Sequence, residues 1–236
     1  MNTLYGIGVG PGAPDLLTLR AADVLRRIPL VVGPRPRNGE DSLAARIARP
    51  HLSPDCRLEE LTFPMVRDPR TLREAWRSAA RQIRTWLGSG DVAFLTLGDA
   101  SLYSTWTYLR SAILELDPTQ KVETVPGITS FSASAARTER ALAEGDQALI
   151  VVPWGAQADR PWLEAALDEG ASAAFMKVAD RLPGLDDLLR RTRRTNSVLA
   201  CRVTLPEEEI HEAWQTDPSR SNGYLAVVLS SKEDAP

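Results

Sequence analysis

Cysteine and histidine are scarce in this chain of 236 residues, and their scarcity narrows the chemistry to be expected of it. Cys56 and Cys201 are the only cysteines, and they lie far apart without the spacing of metal ligands. The sequence therefore predicts no disulfide framework and no metal site, which is typical of a reduced, cytoplasmic protein. The two histidines, His51 and His211, adjoin no motif, so we interpret both as ordinary surface or structural residues.

Long apolar runs and an excess of positive charge are also missing. No apolar run approaches the roughly 18 residues that a transmembrane helix needs, and no charged segment followed by an apolar one begins the chain. The net charge of -3 argues against nucleic acid as the main partner. Lysine occurs only three times, against 25 arginines. Arginine suits planar carboxylate or phosphate groups, although a general compositional bias explains the same count.

Strands and helices are predicted to alternate along the first 140 residues, which indicates a mostly parallel sheet covered by helices. Apolar segments predict strands at 3–9, 29–33, 56–63, 92–99 and 121–125. The alternation resumes after residue 140, but 208–214 and 223–232 resemble successive strands without a long helix between them. A parallel crossover would need more chain, so we expect antiparallel pairs there. The predicted domains are an N-terminal α/β domain, 1–120, and a C-terminal α/β domain with a mixed sheet, 121–236.

A glycine-rich segment, "GIGVGPG", overlaps the end of the first predicted strand and continues into the loop after it. The dinucleotide fingerprint G-x-G-x-x-G fails here, because Pro11 stands where the third glycine would follow Gly6 and Gly8. It fails again from Gly8 and Gly10, where Ala13 takes that position, and no phosphate-cradling G-x-x-x-x-G-K motif is present. Two interpretations stay open for this loop: a tight strand-to-helix turn without a ligand, or a backbone that a ligand approaches closely.

Two further loops also follow predicted strands. The first of them, "TLGDASLYST", combines Gly98 and Asp99 with four hydroxyl side chains, where one would suffice to cap the next helix. A binding function is therefore favoured over a purely structural one, since ligands of open α/β sheets bind beyond the carboxyl ends of strands. The other loop, "VPGITSFSASAA", has small residues throughout, and a closely packed helix would explain these equally well.

In this order, the segments "VGPGAPDLLTLRAADVL", "GDASLYST" and "VPGITSFSASAA" resemble the tetrapyrrole (corrin/porphyrin) methylases, as do "FMK" and "GYLAVVL" further on. The resemblance implies a two-domain α/β fold with S-adenosylmethionine in the cleft between the domains, and a homodimer. The opening "LYGIGVGPG" and "RPRNGEDSLAARIARPHL" resemble the branch that methylates precorrin-2 or its cobalt-containing counterpart at C20. Another ring position, another substrate of the family, or a non-catalytic cofactor-binding protein are the alternatives.

The resemblance also implies site residues. The residues expected to contact the cofactor are Pro11, Gly98, Asp99, Leu102, Tyr103, Ser104, Thr129, Ser130, Met176, Val203, Tyr224 and Leu225. Ala100 stands where the family often has proline, and Ala13 stands where it often has aspartate, but neither change removes an obvious chemical group.

The substrate would be a macrocycle with many carboxylates, and its binding residues are expected among Gly10, Pro11, Gly12, Arg35 and Arg37. Two arginines in a polar loop could clamp carboxylates, or could simply be solvated. No catalytic residue is assigned, because an electron-rich carbon of a reduced tetrapyrrole can attack a sulfonium methyl group without a strong base.

Overall fold

The computed structural model of the chain describes residues 1–35, 42–64, 68–155, 160–178, 182–194, 196–212 and 225–231. The chain divides into two compact units, Met1–Thr129 and Ser130–Pro236. The first unit extends beyond residue 120, where the sequence places the domain boundary, because the strand at 121–125 pairs within the first sheet.

The first unit contains a parallel sheet, as predicted. Its strands are β1 Thr3–Gly8, β2 Leu30–Pro34, β3 Arg57–Leu61, β4 Val92–Thr96 and β5 Lys121–Val125, in the order β3-β2-β4-β1-β5. Every pair is parallel. The helices are α1 Leu19–Arg27, α2 Leu43–Ala48, α3 Pro69–Leu87 and α4 Thr105–Leu116, with short 3-10 helices at Pro14–Leu16 and Arg49–His51.

The three central strands of this sheet, β2, β4 and β1, are buried on both faces, as is usual for parallel sheets. The central strand β4 shows how, because alternate side chains point to opposite faces. Phe94 belongs to a core cluster with Trp106 of α4 and Ile83 of α3. Its neighbour Leu95 packs in a second cluster, which contains the apolar side of α1 and α2. The connecting loops lie beyond the ends of the strands.

Helix α3 has a well-defined beginning. Pro69 occupies its first turn, where a missing N–H costs little, and Asp68 is the N-cap. The Asp68 Oδ2 atom accepts hydrogen bonds from Thr71 N, at 2.8 Å, and from Thr71 Oγ1, at 2.6 Å. These bonds to Thr71 hold the pKa of Asp68 below its ordinary value. The charged cap therefore supports the folded state.

Removing this cap should lower the thermal unfolding midpoint by a few degrees in Asp68→Ala, whereas Asp68→Asn, which retains an acceptor, should stay close to wild type. Because the pKa of Asp68 is lower in the folded than in the unfolded state, its contribution is present above the unfolded pKa and is lost as the pH falls through the folded one. Thermal unfolding scans over acidic pH measure both effects. Equal midpoints for the alanine and asparagine variants would contradict the assigned cap.

The second unit has a mixed sheet, also as predicted. Its strands are β6 Leu149–Pro153, β7 Ser172–Met176, β8 Val198–Cys201, β9 Glu209–His211 and β10 Ala226–Ser230, in the order β6-β7-β10-β8-β9. Among these described strands, β6 and β7 are the one parallel pair. The helices are α5 Ser130–Arg137, α6 Pro161–Asp168 and α7 Leu182–Arg191. In the parts of both units that the structure describes, no helix combines the length and apolar composition needed to cross a membrane.

The last two strands are not neighbours, although they follow each other in sequence. β10 lies between β7 and β8, whereas β9 occupies the edge of the sheet and pairs only with β8 among the described strands. The strands are also shorter than the predicted segments 208–214 and 223–232, and residues 213–224 lie outside the described residues. The antiparallel pairs expected near the C-terminus are confirmed.

Candidate functional site

Three loops lie at the carboxyl edge of the first sheet, where the adjacent strands β4, β1 and β5 end. Residues 9–12 form the first loop, 97–104 the second and 126–129 the third, and we call this region the first-unit edge. These are the three loops that the sequence singles out. Their strands are neighbours and run in one direction, so the loops meet at one place, which is where open α/β sheets bind ligands.

The first and second loops are joined through glycine backbone. Gly98 N donates to Gly10 O at 2.8 Å, and Gly10 N donates to Gly98 O at 3.1 Å. Both glycines have left-handed φ values, 78° for Gly10 and 70° for Gly98, which other residues rarely adopt. A Cβ atom on Gly98 would meet only Ile128 O, at 4.0 Å. The backbone at Gly98 is therefore open on that side.

At Gly127 the third loop approaches the backbone of the other two very closely. A Cβ atom on Gly127 would lie 2.3 Å from Gly98 O and 2.6 Å from Gly8 O, closer than real Cβ atoms come. A Cβ atom on Gly8 would lie 2.6 Å from Gly98 O. The sequence indicates a close approach to the backbone in the segment that contains Gly8, but not what approaches it, and it assigns no role to Gly127. The three loops can thus pack against one another because Gly8 and Gly127 have no side chains between them.

Asp99 fixes the second loop to the third. Its Oδ2 atom accepts a hydrogen bond from Gly127 N at 2.9 Å, and its Oδ1 atom accepts one from Ser101 N at 2.7 Å. Each carboxylate oxygen therefore already has a backbone donor. Bonds of this charge-assisted kind are stronger than neutral ones. The contact between Asp99 and a cofactor remains a prediction, and the structure adds a second role for the side chain, that of joining two loops.

The hydroxyl groups of the second loop separate into two kinds. Ser104 is 6% exposed; its Oγ accepts from Trp106 N at 3.1 Å and shares a hydrogen bond with Thr96 Oγ1 at 2.9 Å, so it caps α4. Ser101 is exposed, and Tyr103 is 44% exposed with a left-handed φ of 49°. A structural role thus accounts for Ser104, while Ser101 and Tyr103 are accessible for binding. Leu102, Thr129 and Ser130 are half-buried.

The remaining predicted cofactor contacts lie at one edge of the second sheet. Met176 ends β7, and β8 ends two residues before Val203. Leu225 directly precedes β10, whose antiparallel direction brings its beginning to the same edge. Val203 is 4% exposed, and Met176 and Leu225 are half-buried. We call this region the second-unit edge; Tyr224 lies outside the described residues.

Backbone strain is concentrated at the second-unit edge. Lys177, Arg202, Thr204 and Leu225 all have left-handed φ values, of 58°, 49°, 65° and 79°. Such values are uncommon for residues other than glycine and persist only where the surrounding structure enforces them. Each of the four residues is adjacent to, or is itself, a predicted cofactor contact. Strained positions cluster at ligand sites, so this distribution favours a binding function for the edge.

The predicted substrate residues are only partly within the described structure. Gly10, Pro11 and Gly12 are buried. Arg35 directly follows β2, and its Nε donates to Glu60 Oε2 at 3.1 Å while 59% of the side chain stays exposed. Arg37 lies outside the described residues. The guanidinium of Arg35 is thus held in place by Glu60 but remains accessible.

The histidines and cysteines, which are often used for acid–base or metal chemistry, are not among the predicted site residues. His51 Nε2 is 3.0 Å from a backbone carbonyl oxygen, and His211 Nε2 is 3.2 Å from Glu209 Oε2. Burial raises the pKa of the Cys56 and Cys201 thiols, which makes both less reactive. Among the described residues no group of three or more His, Cys, Asp or Glu side chains could hold a metal ion. The predicted cofactor contacts at the two edges are mainly backbone, hydroxyl and apolar groups, together with the carboxylate of Asp99.

Comparison with known proteins finds a family model and named relatives that match nearly the whole chain. The family model for Tetrapyrrole (Corrin/Porphyrin) Methylases matches residues 3–214. A cobalt-precorrin-2 C(20)-methyltransferase of Salmonella typhimurium is 34% identical over 233 residues, which is 98% of this chain and 96% of that protein. A probable cobalt-precorrin-2 C(20)-methyltransferase of Methanocaldococcus jannaschii is 36% identical over 231 residues, 97% of this chain and 96% of that one.

Solved structures share the fold. A cobalt precorrin-4 methyltransferase superimposes with a TM-score of 0.74 at 22% identity, covering 97% of this chain and 94% of its own. The uroporphyrin-III C-methyltransferase of Thermus thermophilus, in complex with S-adenosylhomocysteine, gives a TM-score of 0.69 at 20% identity and covers 98% of both chains. At these identities the agreement concerns the α/β fold and its two units.

Proposed function

The chain belongs to the tetrapyrrole (corrin/porphyrin) methylase family, and on this premise we propose that it transfers a methyl group from S-adenosylmethionine to C20 of precorrin-2 or cobalt-precorrin-2. The observation that carries the proposal is the similarity, along nearly the whole chain, to two proteins named for this reaction on the cobalt-containing substrate. Cobalt would arrive within the substrate. From the family resemblance we further propose a cytoplasmic homodimer.

The chemistry of both edges suits this cofactor. At the first-unit edge, the open space beside Gly98 would admit an amino-acid end, and the exposed Ser101 and Tyr103 would offer hydroxyl groups to it. At the second-unit edge, the apolar side chains of Met176 and Val203 suit an adenosine group. When bound, S-adenosylmethionine supplies an activated methyl group on a positively charged sulfur. The protein has to bind, orient and shield the reactants.

Orientation is the main contribution that these residues can make. Holding two reactants in line removes roughly 7–11 kcal/mol from a barrier, and the rigid junction of three loops around Gly98 and Gly127 provides a fixed platform for it. No strong base is needed for the attack, which agrees with histidines that are engaged elsewhere. Arg35, oriented by Glu60, would bind a peripheral carboxylate of the macrocycle.

A methyl-transfer assay tests the proposal. The purified chain is incubated with labelled S-adenosylmethionine in three separate reactions, which contain precorrin-2, cobalt-precorrin-2 or precorrin-4. The products are analysed by mass spectrometry. We expect one added methyl group on one or both of the first two substrates and none on precorrin-4. Transfer to precorrin-4 alone would assign the protein to another step. Tight binding of S-adenosylhomocysteine without any transfer would indicate a non-catalytic member of the family.

A further inference from the structure

The loop that follows β8 contains a carboxylate with an unusually complete set of partners. Arg137, the last residue of α5, binds Glu208 in a forked arrangement. Its Nη2 lies 2.7 Å from Oε1, and its Nε lies 3.0 Å from Oε1 and 3.1 Å from Oε2. Planar, two-pronged pairs of this kind are the geometrically specific form of the arginine–carboxylate interaction.

The same carboxylate also binds the backbone of its own loop. Glu208 Oε2 accepts a hydrogen bond from Thr204 N at 2.7 Å. Two further bonds close the loop, from Leu205 N to Arg202 O and from Glu208 N to Leu205 O, both at 3.0 Å. Thr204 is one of the strained residues, with a φ of 65°. The Glu208 carboxylate therefore lies where it can hold Thr204 in a conformation that the residue would otherwise avoid.

The pKa values of Glu208 and Arg137 are both shifted in the direction that an ion pair produces. The hydrogen bonds from Arg137 lower the pKa of Glu208, and those to Glu208 raise the pKa of Arg137. Exposed ion pairs usually contribute little to stability. Here the Glu208 side chain is only 16% exposed, and it has a backbone partner in addition to the arginine. The pair is thus better placed than an ordinary surface pair to fix a local geometry.

The Arg137–Glu208 pair connects two segments that contain predicted cofactor contacts. One end is α5, which begins at Ser130, and the other is Thr204, next to the buried Val203. Both Ser130 and Val203 are predicted cofactor contacts. We propose that Glu208 is a positioning residue for the cofactor, with Arg137 as its anchor; this rests on the proposed function. Glu208 acts by holding the loop with Val203 in place relative to α5, without contact to the reacting atoms.

Calorimetric binding of S-adenosylhomocysteine tests this role. Glu208→Ala removes both sets of bonds, while Glu208→Gln has the same shape and keeps one acceptor. We expect affinity to fall about tenfold for the glutamine variant and further for the alanine variant, the scale of one or two charge-assisted hydrogen bonds. The KM for S-adenosylmethionine should rise in the same order, with kcat and the KM for the tetrapyrrole within about twofold of wild type.

A matched control lies in the same unit. Glu164 also pairs with an arginine, since Arg191 Nε is 3.2 Å from its Oε1, but it is not part of the second-unit edge. Glu164→Gln should bind the cofactor product as wild type does. Equal binding by wild type and Glu208→Ala, or an equal loss in Glu164→Gln, would overturn the positioning role. Failure of the wild-type chain itself to bind S-adenosylhomocysteine would instead overturn the proposed function.

Discussion

Asp99→Ala is expected to weaken the binding of S-adenosylhomocysteine by about a hundredfold. The substitution removes both hydrogen bonds of the carboxylate, to Ser101 N and to Gly127 N. Each is charge-assisted and worth about 1.5 kcal/mol or more, and a factor of ten corresponds to about 1.4 kcal/mol. The second and third loops then separate, so binding has to order them again. Calorimetry measures the loss directly.

Asp91 supplies the control for this experiment. Its Oδ1 atom accepts from Thr3 N at 2.7 Å, which is the same kind of bond, but at the opposite edge of the sheet, where β1 and β4 begin. Asp91→Ala should lower the unfolding midpoint and leave the affinity for S-adenosylhomocysteine unchanged. If both variants lose stability equally and neither loses affinity, Asp99 is a structural residue and the first-unit edge is not the binding site.

Gly127→Ala should abolish most methyl transfer, reducing it by at least about a hundredfold, and should also destabilise the first unit. The new Cβ atom would lie 2.3 Å from Gly98 O and 2.6 Å from Gly8 O, so backbone has to move. Overpacking typically costs about 1–3 kcal/mol of unfolding free energy, and displacements of about 1 Å at a site can cost a hundredfold in rate. Denaturant unfolding and the transfer assay measure the two effects separately.

Gly184 is the matching position outside the site. It lies in α7, and a Cβ atom there would meet nothing within 4 Å. Because glycine weakens a helix, Gly184→Ala should raise the unfolding free energy by about 0.5–1 kcal/mol and leave activity unchanged. A Gly127→Ala variant with wild-type activity would show that the third loop does not need its close approach to Gly8 and Gly98.

The glycines in and directly after the first strand illustrate what the sequence could and could not predict. The pattern "GIGVGPG" indicates a close approach, but not to what. In the structure, Gly6 leaves room for an indole, since a Cβ atom there would lie 2.0 Å from Trp106 Cε2. Gly8 instead leaves room for the backbone of the two other loops, and Gly10 makes the bridge to Gly98. Glycine is therefore required at these three positions of one motif for three different structural reasons.

The parallel sheet, the mixed sheet and the three loops could be predicted because their signals are local. Alternating strands and helices force neighbouring parallel strands, and a missing helix near residue 210 indicates antiparallel pairs. The insertion of β10 between β7 and β8 could not be predicted, because it depends on pairing between segments far apart in sequence.

Long-range contacts of single side chains escape sequence reasoning for the same reason. The bond from Gly127 N to Asp99 spans 28 positions, and the pair of Arg137 and Glu208 spans 71. The motif around Asp99 indicates a binding role for its side chain, but it does not reveal the hydrogen bonds to Ser101 N and Gly127 N. Glu208 stands among three consecutive glutamates and carries no sequence signal at all.

The position of the new methyl group decides whether the chain methylates precorrin-2 at C20. The chain is incubated with precorrin-2 and S-adenosylmethionine carrying a ¹³C-labelled methyl group, and the product is analysed by NMR. We expect a single labelled methyl group bonded to C20 of the macrocycle, with transfer strongly reduced in Asp99→Ala and retained in Asp91→Ala. A labelled methyl group at any other ring carbon would contradict it.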